Sequence, residues 1–282
     1  MTPLREPTPR PSSTNSPSPT ALVTGATAGI GAEFARQLAR RGMDLVLVAR
    51  DQERLRSCAE ELEADFGVRV EVLAADLTVA EQCALVEERL SDPSRPVSML
   101  INNAGFGLPL EFDVNSVEDE VRQLDLLATV PLRLARAVLP GMIDRGSGIV
   151  LTVSSLAAFA PLTTYSAAKA WSVNFSRWAN AYYRPAGVTV TALAPGFVRT
   201  EFHARMRVTR ESMAPRFMWL DVEPVVRSAL RAADRGREVC VPSIRYRLLS
   251  LVLWMVPGWV ITANARRTRW SRSSRTAPNA GT

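Results

Sequence analysis

A tyrosine and a lysine lie four residues apart, at Tyr165 and Lys169, and this lysine is the only one among the 34 basic residues of the chain. On a helix this spacing places both side chains on one face, one turn apart. A lysine amine has a pKa that shifts readily, unlike an arginine guanidinium, and a nearby cation stabilises a phenolate. The pair therefore predicts an acid–base centre in which Lys169 lowers the pKa of Tyr165. The alternative is an ordinary amphipathic helix with a packed tyrosine and a solvated lysine.

A glycine-rich turn, TGATAGIG, occupies residues 24–31 between an apolar run and an amphipathic stretch. Glycines let the backbone approach a phosphate closely, and the free N–H groups at a helix N-terminus attract negative charge. The turn therefore predicts a dinucleotide site at Gly25, Gly29 and Gly31, whereas in isolation these could be turn glycines only.

Short apolar runs alternate with longer amphipathic stretches from Ala21 onward. The runs are ALVTG, DLVLVAR, VRVEVLAADL, SMLINNAG, GSGIVLTVSS, GVTVTALAPG and REVCVP, and the amphipathic stretches fall near 30–41, 51–66, 79–91, 116–143 and 163–183. Continuous apolar strands that alternate with helices indicate parallel strands covered on both faces. The pattern predicts an α/β fold, a Rossmann-type doubly wound parallel sheet of about seven strands.

The composition divides the chain into four parts. Residues 1–19 are rich in Pro, Ser and Thr and are expected to form a disordered tail. Residues 20–243 form the single dinucleotide-binding catalytic domain, 244–270 an apolar and basic helical appendix, and 271–282 a second tail.

Several classes of function have little support. The three cysteines are widely spaced and the one histidine, His203, has no ligand partner nearby, so a metal site is not expected. The net charge of +6 comes without a groove-reading motif, which argues against nucleic acid. The N-terminus lacks the apolar core of a secretory signal, and we expect a cytoplasmic protein.

Five motifs, in order, resemble those of the short-chain dehydrogenase/reductase family, including its hydroxysteroid dehydrogenases and 3-oxoacyl reductases. The resemblance covers residues 20–242. The matching residues are Thr24, Gly25, Gly29, Ile30 and Gly31 in the turn, Asp76–Leu77, Asn102–Asn103–Ala104–Gly105, Tyr165 with Lys169, and Pro195–Gly196 with Thr200.

The resemblance implies a role for each matching residue. Ser155 would hydrogen-bond the substrate carbonyl, Tyr165 would exchange its proton, and Lys169 would support the tyrosine and hold the nicotinamide ribose. The implied cofactor-binding set is Thr24, Gly25, Thr27, Gly29, Ile30, Gly31, Arg50, Asp76, Leu77, Asn103, Ala104, Gly105, Tyr165, Lys169, Pro195, Gly196 and Thr200.

The end of the second strand bears on the choice of cofactor. Ala49 stands where an acidic residue would bind the ribose 2′-hydroxyl of NAD(H), and Arg50 follows it. An arginine there accommodates a 2′-phosphate, so we expect NADP(H) rather than NAD(H). The alternative is that Arg50 only solvates the strand end.

The sequence departs from the family at two places. Ser155 lies about three residues closer to Tyr165 than usual, so the shorter loop either reshapes the mouth of the pocket or misplaces the serine. Leu127 stands where the family usually has an asparagine that anchors a water relayed to the lysine, and leucine cannot hold that water.

The C-terminal part combines an apolar run with arginines on both sides. Pro257–Gly258 interrupts it, and it is too short for a membrane span. Residues 244–275 either lie on a membrane surface or pack over the substrate cleft or a neighbouring subunit. Both alternatives favour a lipophilic substrate. We also expect a homodimer or homotetramer through the helices at 116–143 and 163–183.

Together these features predict an NADP(H)-dependent oxidoreductase. It would transfer a hydride between the nicotinamide and a carbonyl or secondary alcohol of a lipophilic substrate, such as a steroid or fatty-acyl ketone. The alternative is a nucleotide-binding sensor or scaffold of the same fold whose catalysis is impaired.

Overall fold

The computed structural model describes residues 18–108, 112–201, 215–256 and 259–260. The expected disordered tail, apart from its last two residues, lies outside this part, as do His203 and the arginines from Arg266 onward.

The core of the protein is one sheet of seven parallel strands in the order β3-β2-β1-β4-β5-β6-β7. Each predicted apolar run matches one of the strands to within a residue at its start or contains it, which confirms the expected doubly wound sheet. The strands are β1 Thr20–Thr24, β2 Asp44–Ala49, β3 Val70–Ala74, β4 Val97–Asn102, β5 Gly148–Val153, β6 Val188–Leu193 and β7 Val239–Cys240.

Helices cover both faces of the sheet, because alternate strand residues point to opposite sides and both sides are apolar. Phe34, Leu55 and Leu230 belong to the apolar cluster on one face, and Val86 and Leu134 belong to the cluster on the other. The helices are α1 Gly29–Arg40, α2 Gln52–Phe66, α3 Ala80–Ser91, α4 Val117–Leu124, α5 Val130–Asp144, α6 Thr164–Tyr183, α7 Val222–Asp234 and α8 Ile244–Met255.

The strand order reverses between β1 and β4, which are neighbours in the sheet although two strands separate them in sequence. A crevice opens at the carboxyl ends of the strands at such a point, and ligands of open α/β sheets bind there. The glycine turn follows β1, residues 103–105 follow β4, and Ser154 and Ser155 follow β5. The fold therefore gathers the predicted motifs at one edge.

The helix predicted over 116–143 contains an irregular turn. A π-helical turn at Asp125–Thr129 joins α4 to α5, and Leu127 lies within it. This segment, Val117–Asp144, is the one described helix long and apolar enough to span a membrane by length and composition. Its α5 part packs against α3 and β4, and 44% of its apolar window is buried in the domain. Packing in the domain accounts for part of its apolar character, and the remainder of its apolar surface is exposed.

Candidate active site

Two loops at the crevice are tied together by Thr24 and Asn103. The Thr24 hydroxyl accepts hydrogen bonds from the backbone N–H groups of Asn103 and Ala104, at 2.9 and 3.0 Å. The Asn103 amide nitrogen donates to the carbonyl oxygens of Thr24 and Gly25, at 2.9 and 3.1 Å. The end of β4 is thereby fixed against the start of the glycine turn.

The glycine turn is packed so closely that side chains would not fit. Gly25 and Gly29 have φ angles of +65° and +55°, a region that disfavours residues with a Cβ. A Cβ on Gly31 would collide with the Gly25 carbonyl oxygen and the Asn103 amide. A Cβ on Gly29 would lie 3.1 Å from the Thr200 side chain. The structure thus brings the predicted glycines, Asn103 and Thr200 together.

The N-terminus of α1 faces this turn with little local neutralisation. Its N-cap residue, Ala28, has no side-chain cap hydrogen bond, and the first turn contains no acidic residue. The N–H groups and the positive end of the helix dipole suit an anionic group such as a pyrophosphate. Ile30 packs on the core cluster, so it anchors the helix start.

Basic side chains line the adjoining edge beyond β2. Arg50 has a side chain that is 68% exposed, with its guanidinium 4.0 Å from the Asp76 carboxylate. Arg122 approaches the same carboxylate at 3.5 Å. Burial raises the pKa of Asp76, but hydrogen bonds from Thr78 and the charges of Arg50 and Arg122 outweigh that effect and hold it below its usual value.

Arg54 is a residue that sequence reasoning missed. Asp51 caps α2 by accepting the Arg54 backbone N–H at 3.0 Å. The Arg54 guanidinium donates to the Thr27 carbonyl oxygen in the glycine turn, at 3.2 Å. A second cation therefore stands beside the turn, although the turn itself contains none. Its position one helical turn after Arg50 was the available signal.

The side chains of Leu77 and Ala104 contribute apolar surface. Leu77 is buried in a core cluster with Val46 and Leu100, and Ala104 packs against the same cluster. The one polar side chain of the Asp76–Leu77 motif is therefore the Asp76 carboxylate.

The predicted catalytic side chains meet where β5 ends and α6 begins. Thr163 caps α6 by accepting the Ser166 backbone N–H at 3.2 Å. The Lys169 Nζ lies over the Tyr165 ring, 5.6 Å from its centroid, and donates to the Val153 carbonyl oxygen at 2.7 Å. The hydroxyls of Ser155 and Tyr165 are hydrogen-bonded to each other.

The shortened loop does not separate the serine from the tyrosine. The Ser155 hydroxyl accepts the Ala157 N–H at 3.2 Å and starts a 3₁₀ turn over Leu156–Phe159. This turn forms part of the short connection between β5 and α6. In this structure Ser155 lies beside Tyr165 despite the shorter loop.

The expected direction of the tyrosine shift was also wrong for this structure. Burial raises the pKa of Tyr165 to about 12, and the hydrogen bond with Ser155 only partly offsets that rise. Burial lowers the pKa of Lys169 to about 8. The ammonium pairs with a backbone carbonyl and faces the ring, so desolvation dominates over attraction to a phenolate.

Leu127 fills apolar space beside the crevice. It is 2% exposed, and its Cδ2 lies 2.9 Å from where a Cβ on Gly105 would stand. Asn102, on neighbouring β4, is buried, and neither polar atom of its side chain has a hydrogen-bond partner among the described residues. Sequence reasoning quoted Asn102 in its motif but gave it no role.

The Pro195–Gly196 segment is held by a residue from the far end of the chain. The Pro195 carbonyl accepts the Leu156 N–H at 2.8 Å, and a Cβ on Gly196 would collide with the Tyr246 ring. The Tyr246 hydroxyl accepts the Phe197 N–H at 3.2 Å and donates to the Met218 carbonyl at 2.6 Å. Tyr246 thus joins residues 196–197 to residue 218, a contact that sequence reasoning did not foresee.

Comparisons with known proteins agree with this arrangement. The family model described as short chain dehydrogenase matches residues 19–211. A very-long-chain 3-oxoacyl-CoA reductase from Anas platyrhynchos is 34% identical over 192 residues, which cover 64% of this chain and 60% of that protein. The chain thus aligns with less than two thirds of that relative's length.

Two further similarities extend over more of the chain. A 17-beta-hydroxysteroid dehydrogenase type 3 from Danio rerio is 30% identical over 250 residues, covering 86% of this chain and 78% of that protein. A short-chain dehydrogenase from Sphingobium yanoikuyae, solved in complex with NADPH, superposes with a TM-score of 0.76 at 35% identity, covering 94% and 98% of the two chains. This chain belongs to the short-chain dehydrogenase family and is an NAD(P)-dependent oxidoreductase.

Proposed function

We propose that this protein is an NADP(H)-dependent oxidoreductase that interconverts a lipophilic ketone and its secondary alcohol. The observation that carries the proposal is the set of half-buried Ser155 and Tyr165 with buried Lys169, beside the glycine turn at the switch point of the sheet. The cofactor, when bound, supplies or accepts the hydride at the carbonyl carbon.

The residues of the chain provide the proton and the orientation. In the direction of reduction, the Tyr165 hydroxyl donates its proton to the substrate oxygen while Ser155 hydrogen-bonds that oxygen. A phenol with a pKa raised to about 12 by burial is protonated at neutral pH, so it carries the proton to be donated, whereas a pKa nearer neutrality would make it a stronger acid. Lys169 is held one helical turn away by the Val153 carbonyl, and its ammonium would hold the ribose hydroxyls of the bound cofactor.

Residues beyond β2 support the preference for NADP(H). Arg50 is largely exposed at the strand end, and Arg54 stands against the glycine turn. Two guanidinium groups suit the charge and shape of a 2′-phosphate. Ala49 offers no carboxylate for a free 2′-hydroxyl. The complex of the Sphingobium relative with NADPH is consistent with this choice.

Apolar surface near Ser155 supports a lipophilic substrate. The 3₁₀ turn after Ser155 packs against α8. Leu156, Phe159, Phe197 and Met218 pack on the small core cluster of Ala194, Val241 and Tyr246. The relatives named for 3-oxoacyl-CoA and 17-beta-hydroxysteroid chemistry act on substrates of this character.

The proposal includes self-association through α4, α5 and α6. Large apolar side chains on these helices are 47–73% exposed, an unusual density for a lone domain. They are Val117, Val121, Leu124, Leu132, Trp178 and Tyr182. Light scattering at micromolar concentration in detergent-free buffer should give a dimer or larger species. A monomer alone would reject this part of the proposal.

Turnover of NADPH with a panel of ketones tests the function. We expect oxidation of NADPH with lipophilic ketones and at least tenfold weaker binding of NADH. Tyr165→Phe should remove turnover and leave the NADPH Kd nearly unchanged, since its hydroxyl acts on substrate. Lys169→Arg should lower kcat by about 10²-fold and weaken NADPH binding, because its misplaced N–H donors would support neither Tyr165 nor the ribose.

A different result would identify the alternative function. NADPH binding without turnover of any ketone, in wild type and Tyr165→Phe alike, would favour a nucleotide-binding sensor, for which the apolar Leu127 is the supporting observation.

A further inference from the structure

α8 has two faces of opposite character. On the inner face Tyr246 is 2% exposed, and Leu249 packs with it on the cluster of Ala194 and Val241. On the outer face five apolar side chains are 54–75% exposed. They are Ile244, Leu248, Leu251, Val252 and Met255.

The outer residues form one continuous stripe. Their positions recur at intervals of three and four along α8, which is the spacing of a single helical face. Phe217 lies next to α8, because the Arg245 guanidinium donates to its carbonyl at 3.0 Å, and its side chain is also exposed. This surface, α8 with Phe217, is called the outer face of α8 below.

The charge of the chain is segregated toward the same end. Seven of the 34 basic residues and none of the 28 acidic residues lie after Glu238. The rest of the chain is therefore close to neutral although the whole carries +6. The stripe is apolar, and all charged residues of the segment around α8 are cationic. This combination suits a bilayer that has an apolar interior and anionic headgroups.

Two other occupants fit the outer face less well. In a second copy docked face to face, the two segments after Glu238, whose charged residues are all arginines, would come together, and like charges oppose such an arrangement. The chain after residue 265 reads RRTRWSRSSRTAPNAGT and contains one large hydrophobic residue, Trp270, so it offers little to cover an apolar stripe.

We infer that the outer face of α8 docks on an anionic lipid bilayer. The stripe enters the boundary between headgroups and acyl chains, and the exposed Arg245 and Arg247 of α8 contact lipid phosphate and carboxylate groups. α8 then lies parallel to the bilayer surface, with its inner face toward the domain.

Docking of α8 places the catalytic end of the crevice next to the lipid. The inner face of α8 contacts the 3₁₀ turn that follows Ser155, and Tyr246 bonds Phe197 and Met218. A substrate dissolved in the bilayer then reaches the site without crossing water. This consequence rests on the proposed function, whereas the docking itself does not.

Flotation of the full-length protein with lipid vesicles tests the docking. Vesicles of phosphatidylcholine alone are compared with vesicles that also contain phosphatidylserine. We expect at least tenfold tighter binding to the anionic vesicles, weakened by high salt because surface charges are screened. Leu251→Glu and Met255→Glu should each reduce this binding at least tenfold, since each places a carboxylate in the stripe.

Leu85→Glu is the matched control. Leu85 is 50% exposed on α3, close to the 58% of Leu251, so both variants add one acid at an exposed leucine. Leu85→Glu should bind vesicles like wild type, and thermal unfolding should show that all variants remain folded. Equal binding to neutral and anionic vesicles, or equal loss in Leu85→Glu and Leu251→Glu, would overturn the proposal.

A change of oligomeric state would also decide against it. If Leu251→Glu converts the protein to a smaller species and wild type does not float with either vesicle, the outer face of α8 is a contact between copies. Flotation requires no turnover, and ketone reduction in lipid-free buffer requires no vesicle. Failure of the docking and failure of the proposed function are therefore distinguishable.

Discussion

Stability and function are related differently on the two sides of the crevice. On the nucleotide side, Thr24, Asn103 and the glycine turn are linked by hydrogen bonds that hold the sheet and shape the site together. On the catalytic side, Tyr165 is half-buried and Lys169 is buried, and the pKa values of both are shifted against their charged forms. Beyond them α8 exposes an apolar face.

The difference reflects what each side binds. A dinucleotide has fixed shape and charge, so a rigid, satisfied backbone can recognise it without cost to the fold. Acid–base chemistry needs titratable groups away from water, and keeping them there opposes folding. Substitutions on the nucleotide side should therefore lower both the free energy of unfolding and the cofactor affinity. Substitutions on the catalytic side should lower activity without lowering the free energy of unfolding.

Gly31→Ala should have the largest effect. The added Cβ would collide with the Gly25 carbonyl and the Asn103 amide, and both are fixed by the hydrogen bonds of the turn. We expect a loss of about 3 kcal/mol in the free energy of unfolding, at the upper end for overpacking. The NADPH Kd should rise by more than about 10²-fold, because small displacements of a binding backbone are costly. Urea unfolding and fluorescence titration measure the two effects.

Gly67→Ala provides the control for that change. Gly67 has φ +64° at the end of α2, but no atom lies within 4 Å of the added Cβ. Only the left-handed conformation is then penalised, by about 1–2 kcal/mol. NADPH affinity should stay at the wild-type value. Equal effects of the two variants on NADPH binding would contradict the tight contact at Gly31.

Lys169→Met should separate function from stability. The folded pKa of Lys169, about 8, lies below its ordinary value of 10.5. The buried cation therefore opposes folding below pH 8, and this penalty disappears as pH rises from about 8 to 10.5. At pH 7 the variant should be inactive yet more stable than wild type by about 1–2 kcal/mol, because relief of a desolvation penalty of on the order of 2–3 kcal/mol is partly offset by the lost hydrogen bond to the Val153 carbonyl.

The pH dependence gives this prediction its control. The difference in unfolding free energy between Lys169→Met and wild type should shrink as pH rises from 8 to 10.5. Tyr165, whose raised pKa makes the fold lose stability above about pH 10, is present in both proteins and contributes similarly to each. No other lysine titrates in this range, since the chain has one. A difference independent of pH would mean that Lys169 is not desolvated.

The nucleotide side was largely predictable from sequence. Glycine spacing, a strand end and a helix start are local features, and they identified Gly25, Gly29 and Gly31 although the contacts that exclude side chains there also come from Asn103 and Thr200. The spacing of Tyr165 and Lys169 likewise predicted that they share a face. The seven-strand sheet followed from the alternation of apolar runs.

The catalytic side was less predictable, because its properties depend on distant contacts. Tyr246 reaches Phe197 across 49 residues, and no periodic pattern encodes that contact. The direction of the Tyr165 shift depends on its burial, which spacing does not specify. Ser155 stayed beside Tyr165 because the short loop coils into a 3₁₀ turn, an outcome that residue counting does not reveal.

Tyr246→Phe should have a moderate effect. The change removes the hydroxyl that accepts the Phe197 N–H and donates to the Met218 carbonyl, and leaves the ring against Gly196. Losing these bonds should cost about 1–2 kcal/mol of unfolding free energy. Tyr182→Phe, which alters a 67% exposed side chain, should change little. Thermal unfolding of both variants measures the contrast, and equal destabilisation would contradict the bridging role.

Arg54→Ala should have the smallest effect and should act on the cofactor alone. Arg54 is exposed, and its single bond to the Thr27 carbonyl spans 3.2 Å at the surface, so unfolding free energy should change by less than about 0.5 kcal/mol. If the guanidinium adds to Arg50 at a 2′-phosphate, the NADPH Kd should rise by about 3- to 10-fold while the NADH Kd stays constant. Arg56→Ala, an exposed arginine on the same helix, is the control. A parallel rise in both Kd values would assign Arg54 to the shape of the turn, and the comparison would then lose its one residue that recognises the cofactor without supporting the fold.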